Sequence, residues 1–404
     1  MRAYERFLRY VRIHTASDPG TGVTPSTAGQ WDLARTLAEE LRELGLERPS
    51  VDENCVVTAH VPASPGHENA PAIGFLAHMD TSPDFPGKDV RPVLHPNYDG
   101  GDVVLPREGR TIRASDFPFL KSLAGKTLIT ADGSTLLGAD DKAGAAEIGT
   151  MCQRLMREDI PHGRVCVAFT PDEEIGQGPD HFDVAAFGAK YAYTVDGGAA
   201  GSIEYENFNA AGAAIAITGV AVHPGAAKNI MENALLIANE INASLPAEDI
   251  PARTEGYEGF FHLERVEGTA AGAVMEYIIR DHDREKFERR KAMLADVCAK
   301  VGAAHPTAMV KLDMRDTYYN MREKLSDCMH LIDNAGKAAE MAGIKPVAAP
   351  IRGGTDGARL SFMGLPCPNL GTGGYNCHGP LECVAAEDMD AVTEILLNIV
   401  RLYS

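Results

Sequence analysis

Apolar and polar residues along positions 1–205 follow a pattern that predicts strands separated by helices. Predominantly apolar runs at residues 72–77, 165–170 and 191–195 predict three buried strands. Helical periodicity over residues 141–158 places a helix between the first two. This alternation favours an α/β fold with a mixed, mostly parallel sheet flanked by helices.

The pattern changes after residue 207 and predicts a second domain. Strands are expected at residues 213–222, 259–266, 272–281 and 308–315, with helices at 228–245 and 283–301. The resulting order β-α-β-β-α-β is the ferredoxin-like arrangement. We therefore predict an inserted α+β domain over residues 208–319, within a first domain formed by residues 1–207 and 320–404. A chain of 404 residues is long enough for two such cores.

Composition and charge argue against several classes of partner. The formal net charge is −19, which opposes binding to nucleic acid phosphates and to anionic membranes. No run approaches the ~18 apolar residues of a membrane span, and the N-terminus lacks the pattern of a secretory signal. The eight cysteines are scattered without CxxC pairs, so we expect reduced thiols in a cytoplasmic protein.

Histidines and carboxylates cluster after the predicted strands. His78 and Asp80 follow the first strand, where residues two apart point to the same side, so Asp80 can orient a metal-binding His78. The other clusters are Asp140 and Asp141 at a helix start, the adjacent Glu173 and Glu174, Asp196 after the third strand, and His378 in a glycine-rich loop. Taken singly, such clusters are typical of surface pairs, helix caps or solvated loops.

The joint occurrence of these clusters favours a metal centre. In open α/β sheets, sites form beyond the carboxyl ends of the strands, where the clusters would converge. Two histidines with several carboxylates suit zinc, manganese or cobalt. A carboxylate able to bridge two ions ~3.5–4 Å apart is typical of a two-metal hydrolase. Adjacent Glu173 and Glu174 can have separate roles, one on a metal and one moving protons.

Several segments resemble the motifs of the M20 family of co-catalytic zinc peptidases. They are HMDTSPD, GADDKAG, TPDEEIGQG, YTVDGG, HPG and GGYNCHG. Longer segments, among them EGYEGF, YIIRD, YYNMREK and IRGGTDGA, resemble the tripeptide aminopeptidases of that family, and the resemblance spans essentially the whole chain. It implies a metallo-aminopeptidase that releases the N-terminal residue of tripeptides, with two divalent ions per subunit, zinc or else cobalt or manganese.

The resemblance also implies a role for each residue of the metal centre. The metal ligands would be His78 and Asp196 for one ion, Glu174 and His378 for the other, and Asp140 as the bridge between them. Asp80 would orient His78, and Glu173 would act as the general base. Its proton would come from the attacking water and pass to the leaving amine.

In the inserted domain, the resemblance implies two residues that act on the substrate. His223 would reach the active site of the other subunit in a homodimer and stabilise the oxyanion of the reaction. Arg280 would grip the C-terminal carboxylate of the peptide in bidentate fashion. Asn320 and Arg352 are further candidates for substrate contact. Without the resemblance, a turn histidine and an exposed strand-end charge are the ordinary interpretations of His223 and Arg280.

Two other functions stay open on the sequence. Another M20-type hydrolase, such as a dipeptidase, a carboxypeptidase or an N-acyl amino acid deacylase, would share the metal motifs and differ in its substrate pocket. A non-catalytic metal-binding or peptide-binding protein on the same scaffold would be expected to lack a ligand or the base, whereas this chain has all of them. Neither GxSxG nor HExxH occurs, which argues against a serine hydrolase and excludes a thermolysin-type zinc site.

Overall fold

The computed structural model describes residues 1–404. Its α-helices are α1 (Ala3–Tyr10), α2 (Ala28–Leu44), α3 (Ala139–Arg157), α4 (Val184–Phe187), α5 (Ala234–Ala243), α6 (Arg284–Ala304), α7 (Arg322–Leu325), α8 (His330–Met341), α9 (Asp356–Phe362) and α10 (Ala386–Leu402). None of these helices is both long enough and apolar enough to cross a lipid bilayer.

The strands, in chain order, are β1 (Glu47–Val51), β2 (Val57–Val61), β3 (Ile73–His78), β4 (Val93–His95), β5 (Val103–Val104), β6 (Thr111–Ile112), β7 (Leu128–Thr130), β8 (Val165–Thr170), β9 (Tyr191–Val195), β10 (Ser202–Glu204), β11 (Asn209–Thr218), β12 (Phe260–Gly268), β13 (Gly272–Asp281), β14 (Met309–Tyr318), β15 (Val347–Ala348), β16 (Asn369–Leu370), β17 (Gly374–Tyr375) and β18 (Cys383–Ala385). The predicted strands at residues 72–77, 165–170 and 191–195 correspond to β3, β8 and β9, within one residue at each end.

The chain divides into two compact units. Unit 1 consists of Met1–Tyr205, Glu323–Ala349 and Thr355–Ser404, and unit 2 of Glu206–Arg322 and Pro350–Gly354. Residues 350–354, predicted to lie in the first domain, belong to unit 2. Within that unit, the backbone N–H of Ile351 donates to Glu206 O over 2.8 Å. No hydrophobic pattern marks so short a segment, because it belongs to a loop.

Unit 1 is built on an eight-stranded sheet with the strand order β1-β2-β8-β3-β9-β16-β10-β15. The central strands β8, β3, β9 and β16 run parallel to one another, and β1 and β2 add antiparallel pairings at one edge. Every residue of β3 and β8 is buried, as expected for strands covered on both faces. The predicted mixed, mostly parallel sheet is confirmed. Parallel pairing brings the carboxyl ends of β3, β8 and β9 to one edge.

A second sheet of unit 1 positions the C-terminal loop. Its order is β17-β18-β7-β4, and β18 pairs antiparallel with both β17 and β7. The loop between β17 and β18 carries His378, and the segment that follows β7 leads into α3. This sheet therefore places the histidine loop beside the start of α3.

Helix α3 has an irregular first turn. Gly138 precedes it with φ of +81°, a conformation that glycine adopts without a Cβ penalty. Asp140 and Asp141 have non-helical backbone angles, and the peptide bond between them is cis. The helix continues as a buried element from Lys142 onward. The Asp140 carboxylate is thus presented by a backbone that is not yet helical.

Unit 2 is a four-stranded antiparallel sheet, ordered β12-β13-β11-β14, against which α5 and α6 pack. The chain order β11-α5-β12-β13-α6-β14 is the predicted β-α-β-β-α-β arrangement. Ile215, Ile237, Met275 and Phe287 are at most 1% exposed in its core, and each such side chain contributes about 1.5–3 kcal/mol through burial. Strand β11 ends at Thr218 rather than at the predicted residue 222, because Val220 pairs with Glu232 instead of with a neighbouring strand of the sheet.

All eight cysteines are free thiols. Six are buried, and only Cys328 and Cys377 are partly exposed. Desolvation raises the pKa of Cys152 to about 12, which keeps that thiol protonated and unreactive.

Candidate metal centre

Unit 1 gathers the predicted metal ligands at the carboxyl edge of its large sheet. His78 is the last residue of β3, and Asp196 directly follows β9. Glu173 and Glu174 lie in a short turn after β8, and Asp140 belongs to the first turn of α3. His378 reaches the same place from the β17–β18 loop, with φ of +64°. Residues separated by up to three hundred positions thus meet in one site.

Asp140 lies between the two histidines. Its Oδ1 is 2.9 Å from His78 Nε2, and its Oδ2 is 3.4 Å from His378 Nε2. Each carboxylate oxygen therefore faces a different imidazole. This is the geometry that a carboxylate bridging two ions requires.

One further carboxylate accompanies each histidine. Asp196 Oδ1 lies 3.7 Å from His78 Nε2, and Glu174 Oε2 lies 3.0 Å from His378 Nε2. The second oxygen of Glu174, Oε1, is buried and has no hydrogen-bond partner. The site consequently contains two overlapping sets of donors that share Asp140.

The spacing of these donors fits metal ions. Ligands at 2.0–2.1 Å from a tetrahedral zinc ion lie ~3.3 Å from one another. The histidine–carboxylate distances of 2.9, 3.4, 3.7 and 3.0 Å bracket that value. Imidazole and carboxylate donors are also the ligand types that bind such ions.

The concentration of buried carboxylates also favours the binding of cations at this site. Burial raises the pKa of Asp196, and the negative charge of Asp140 raises it further. Burial alone would raise the pKa of Asp140, but hydrogen bonds to His378 and His78 hold it well below its usual range. Hydrogen bonds to Asp140 and Glu174 raise the pKa of His378 to about 11. Buried carboxylates are crowded together here, and divalent ions would compensate their charge.

His78 is oriented by its neighbour in the chain. Its Nδ1 donates to the backbone oxygen of Asp80 over 3.1 Å and lies 3.3 Å from Asp80 Oδ1. Nδ1 therefore carries a proton, so in a neutral ring Nε2 is the nitrogen with a lone pair for a metal. The Asp80 carboxylate also accepts the backbone N–H groups of Glu173 and Glu174 over 3.0 and 3.1 Å.

Asp141 is close to the ligands but serves the backbone. Its donor atoms lie within 4.8 Å of those of His78 and Asp196, a spacing that by itself would suit a ligand. Its Oδ2, however, accepts the N–H of His78 over 3.1 Å, and Oδ1 accepts the N–H of Gly144 over 3.2 Å. The two oxygens of Asp140, by contrast, face the two histidines.

Glu173 stands apart from both sets of donors. One of the two groupings of potential ligands contains Glu174, and neither contains Glu173. Burial is the main cause that raises the pKa of Glu173 well above its usual value. A carboxylate held beside a metal centre without being part of it can accept and return a proton.

The structure also shows acidic neighbours that the sequence analysis did not assign. Asp84 Oδ2 lies 3.5 Å from His378 Nδ1. Asp172, with φ of +57°, accepts the backbone N–H of Ser26 over 2.7 Å and the Gln30 amide over 2.7 Å, which fixes the turn that leads into Glu173. Glu382 accepts backbone N–H groups at the start of α3. Their positions in HMDTSPD, TPDEE and CHGPLE were the only signal available from the sequence.

Arg280 and His223 lie in unit 2. Arg280, near the end of β13, donates from Nη1 to the backbone oxygen of Arg352 over 3.1 Å, while its buried Nε makes no hydrogen bond. His223 is exposed in the loop that follows β11, and its Nδ1 accepts the N–H of Gly225 over 3.1 Å. His223 Nε2 therefore lies on an exposed ring, and Arg280 Nε is a buried donor without a hydrogen-bond partner.

Asn320 and Arg352, predicted to contact the substrate, make internal contacts in unit 2. Asn320 is 5% exposed, and its amide donates to His282 O and accepts from Asn207 N. The Arg352 guanidinium donates to the backbone oxygens of Gly256, Glu258 and Thr254, and to Thr254 Oγ1. Both residues therefore hold unit 2 together, which the sequence pattern did not reveal.

Comparison with known proteins supports the same family as the site. The family profile described as the M20 peptidase dimerisation domain matches residues 205–306. Peptidase T of Geobacillus kaustophilus is 52% identical over 401 residues, covering 99% of this chain and 97% of that protein. Peptidase T of Alkaliphilus oremlandii is 51% identical over 403 residues, covering 99% and 98%.

Solved structures share the fold over its full length. An aminopeptidase from Bacillus cereus superposes with a TM-score of 0.80 at 23% identity, covering 100% of this chain and 98% of that one. A tripeptidase from Staphylococcus aureus gives a TM-score of 0.80 at 20% identity with the same coverage. Together with the full-length similarity to peptidase T proteins, the arrangement of donors at the sheet edge leads to one assignment: the chain belongs to the peptidase T family of the M20 metallopeptidases.

Proposed function

We propose that this protein is an aminopeptidase that releases the N-terminal residue of tripeptides and uses two zinc ions per subunit. The observation that carries the proposal is Asp140, whose two oxygens face His78 and His378 at 2.9 and 3.4 Å, with Glu173 left outside the donor sets. The relatives named peptidase T and the fold shared with a tripeptidase support the choice of substrate. Cobalt and manganese suit the same donors and are the alternative ions.

The metal centre would activate both the scissile carbonyl and the attacking water. When bound, two divalent ions would polarise the scissile carbonyl and lower the pKa of the attacking water toward neutrality. His78 and Asp196 would hold one ion, Glu174 and His378 the other, and Asp140 both. Asp80 keeps the His78 ring in the tautomer that leaves Nε2 available.

Glu173 would carry the proton through the reaction. Its carboxylate takes a proton from the attacking water and returns it to the leaving amine. The backbone N–H of Glu173 is held by the Asp80 carboxylate over 3.0 Å, so the base has a fixed point of attachment. Fixed placement of this kind lowers the entropic cost of each proton transfer.

Arg280 and His223 would bind the substrate and the developing charge. The unpartnered Nε of Arg280, together with Nη2, forms the edge that grips a carboxylate in bidentate fashion, which suits the C-terminus of a short peptide. Because His223 Nδ1 accepts the N–H of Gly225, a neutral ring carries its proton on Nε2 and can donate it to an oxyanion. We place His223 in the active site of the partner in a homodimer, and the match to a dimerisation domain supports that arrangement. The free thiols support a cytoplasmic location.

A peptide panel with metal analysis on the same preparation tests the proposal. The panel contains di-, tri- and tetrapeptides, each free, N-acetylated or C-amidated. We expect release of the N-terminal residue from free tripeptides, two metal ions per chain, and loss of turnover after chelation. Preference for dipeptides, release of the C-terminal residue or hydrolysis of N-acyl groups would assign the site to another M20-type activity. No turnover by the two-metal form would make the protein a binding protein.

A further inference from the structure

Glu382 is a buried carboxylate near the metal centre with no role in the chemistry described above. It lies four residues after His378, directly before β18, and is 1% exposed. A buried carboxylate is unfavourable unless its oxygens are satisfied. Its hydrogen bonds therefore indicate what the side chain does.

Both Glu382 oxygens are occupied by backbone donors at the start of α3. Oε2 accepts the N–H groups of Leu137 and Gly138, each over 2.7 Å. Oε1 accepts the N–H of Asp140 over 3.0 Å. The first N–H groups of a helix have no hydrogen-bond acceptor within the helix. The N-cap residue, Gly138, has no side chain that could accept from them. A side chain from a distant loop thus takes the place of a local cap.

This arrangement joins two metal ligands that are far apart in the chain. Glu382 grips the backbone of Asp140, the carboxylate that faces both histidines. It also belongs to the same tight loop as His378, since its own N–H donates to Gly379 O over 3.3 Å. Glu382 therefore couples the position of the His378 loop to the position of the Asp140 backbone.

We infer that Glu382 is a positioning residue that sets the distance between Asp140 and His378 and so determines how tightly the ion between them is held. The inference rests on the proposed two-metal site. It assigns Glu382 no contact with metal or substrate, because both of its oxygens already accept backbone hydrogens. Partners that orient metal ligands typically contribute 10–100-fold to metal affinity.

The test is zinc binding to the metal-free full-length chain, measured by competition with a chelator and by calorimetry. In Glu382→Gln, an amide nitrogen replaces one acceptor oxygen and faces N–H donors. We expect one of the two zinc affinities, that of the ion between Asp140 and His378, to fall about 10–100-fold, with activity recovering at high zinc concentration. Glu382→Asp keeps the negative charge but has a shorter side chain, so it should lower the affinity for the same ion. This variant replaces Glu382→Gln in the test if the glutamine variant does not fold.

Glu387→Gln is the matched control. Glu387 also accepts a backbone N–H, that of Thr127 over 2.7 Å, but at the start of α10. We expect it to lower the thermal stability of the metal-free chain while leaving both zinc affinities unchanged. Wild-type zinc affinities in the folded Glu382 variants would overturn the inference. Failure of the wild-type chain to bind a second ion would instead overturn the proposed function.

Discussion

The Asp80 carboxylate accepts the backbone N–H of Glu173 over 3.0 Å. The same carboxylate lies 3.3 Å from the Nδ1 of His78, and it is fully buried. One side chain therefore holds both a metal ligand and the segment that carries the proposed base. The position of the base relative to the metals depends on this shared contact.

Asp80→Asn should impair both parts of the site. The amide nitrogen of asparagine cannot accept the N–H of Glu173 or Glu174, so one of these hydrogen bonds is lost. We expect kcat/KM to fall about 10–100-fold or more, the range for residues that orient metal ligands. Asp84→Asn is the control, because Asp84 lies 3.5 Å from His378 and is 70% exposed. Kinetics and metal content of both variants are compared, and equal losses would contradict a special role for Asp80.

Glu173→Gln and Glu174→Gln should show which of the two glutamates is the general base and which is a metal ligand. Glu174 Oε2 faces His378 Nε2 over 3.0 Å, whereas Glu173 lies outside the donor groupings. Glu173→Gln should lower kcat by about 10²–10⁴-fold, the usual contribution of a general base, with metal content unchanged. Glu174→Gln should lose metal. Metal loss in Glu173→Gln would show that Glu173 is itself a ligand.

The candidate site was predictable from the sequence because its polar residues directly follow predicted strands. His78, Asp196 and the Glu173–Glu174 pair each follow a buried apolar run, and parallel strands bring such ends to one edge. Helix α3 and the β-α-β-β-α-β order of unit 2 were predictable for the same reason, since hydrophobic periodicity is local.

Contacts made by loops were not predictable in this way. Arg352 lies in a five-residue segment whose partners, Thr254 to Glu258, are about a hundred positions away. Nothing in the local pattern distinguishes a guanidinium that binds backbone oxygens from one that binds substrate. The predicted end of β11 was wrong because Val220 pairs with Glu232 and not with the sheet. That pairing depends on a residue of another segment, which the local hydrophobic pattern does not reveal.

Arg280→Ala should discriminate between peptides by their C-terminus. Charge-assisted hydrogen bonds contribute about 1.5–3 kcal/mol, so kcat/KM for tripeptides with a free C-terminus should fall about 10–100-fold. C-amidated tripeptides lack the carboxylate and should be cleaved slowly and equally by both forms. The control is Arg265→Ala, an exposed arginine of the same sheet that pairs with Glu276. Equal effects on free and amidated peptides would remove the proposed clamp.

His223 should act on the partner's active site, which a mixed dimer can reveal. Glu173→Gln and His223→Ala are each expected to be nearly inactive as homodimers. In a statistical mixture, half of the dimers are hybrids, and each hybrid has one site with both Glu173 and a partner's His223, so about a quarter of wild-type activity should return. The variants are mixed by co-expression and assayed with a tripeptide. No recovery in verified hybrids would place His223 in the active site of its own subunit.

His305 closes the base of the loop that carries His223. Its Nδ1 lies 2.6 Å from Glu232 Oε2, and its Nε2 lies 2.9 Å from Glu240 Oε2. Glu232 also pairs with Val220 through two backbone hydrogen bonds of 2.8 and 3.0 Å, which join the two ends of the loop. The hydrogen bonds of Glu240 and Glu232 raise the pKa of His305 above its ordinary value of 6.5.

This raised pKa predicts a pH-dependent loop. Because protonated His305 is favoured in the folded chain, its stabilising effect is complete below its unfolded pKa and is lost as the pH rises through the folded value, above 6.5. We expect the Val220 and Glu232 amides to exchange hydrogen faster in His305→Gln than in wild type at about pH 6, and the difference to shrink toward about pH 9. Comparing the two proteins at each pH removes the intrinsic pH dependence of exchange. His262→Gln, at an exposed position on β12, is the control and should show no difference at any pH. A difference that stays constant from about pH 6 to about pH 9 would mean that His305 holds the loop by packing and not by charge.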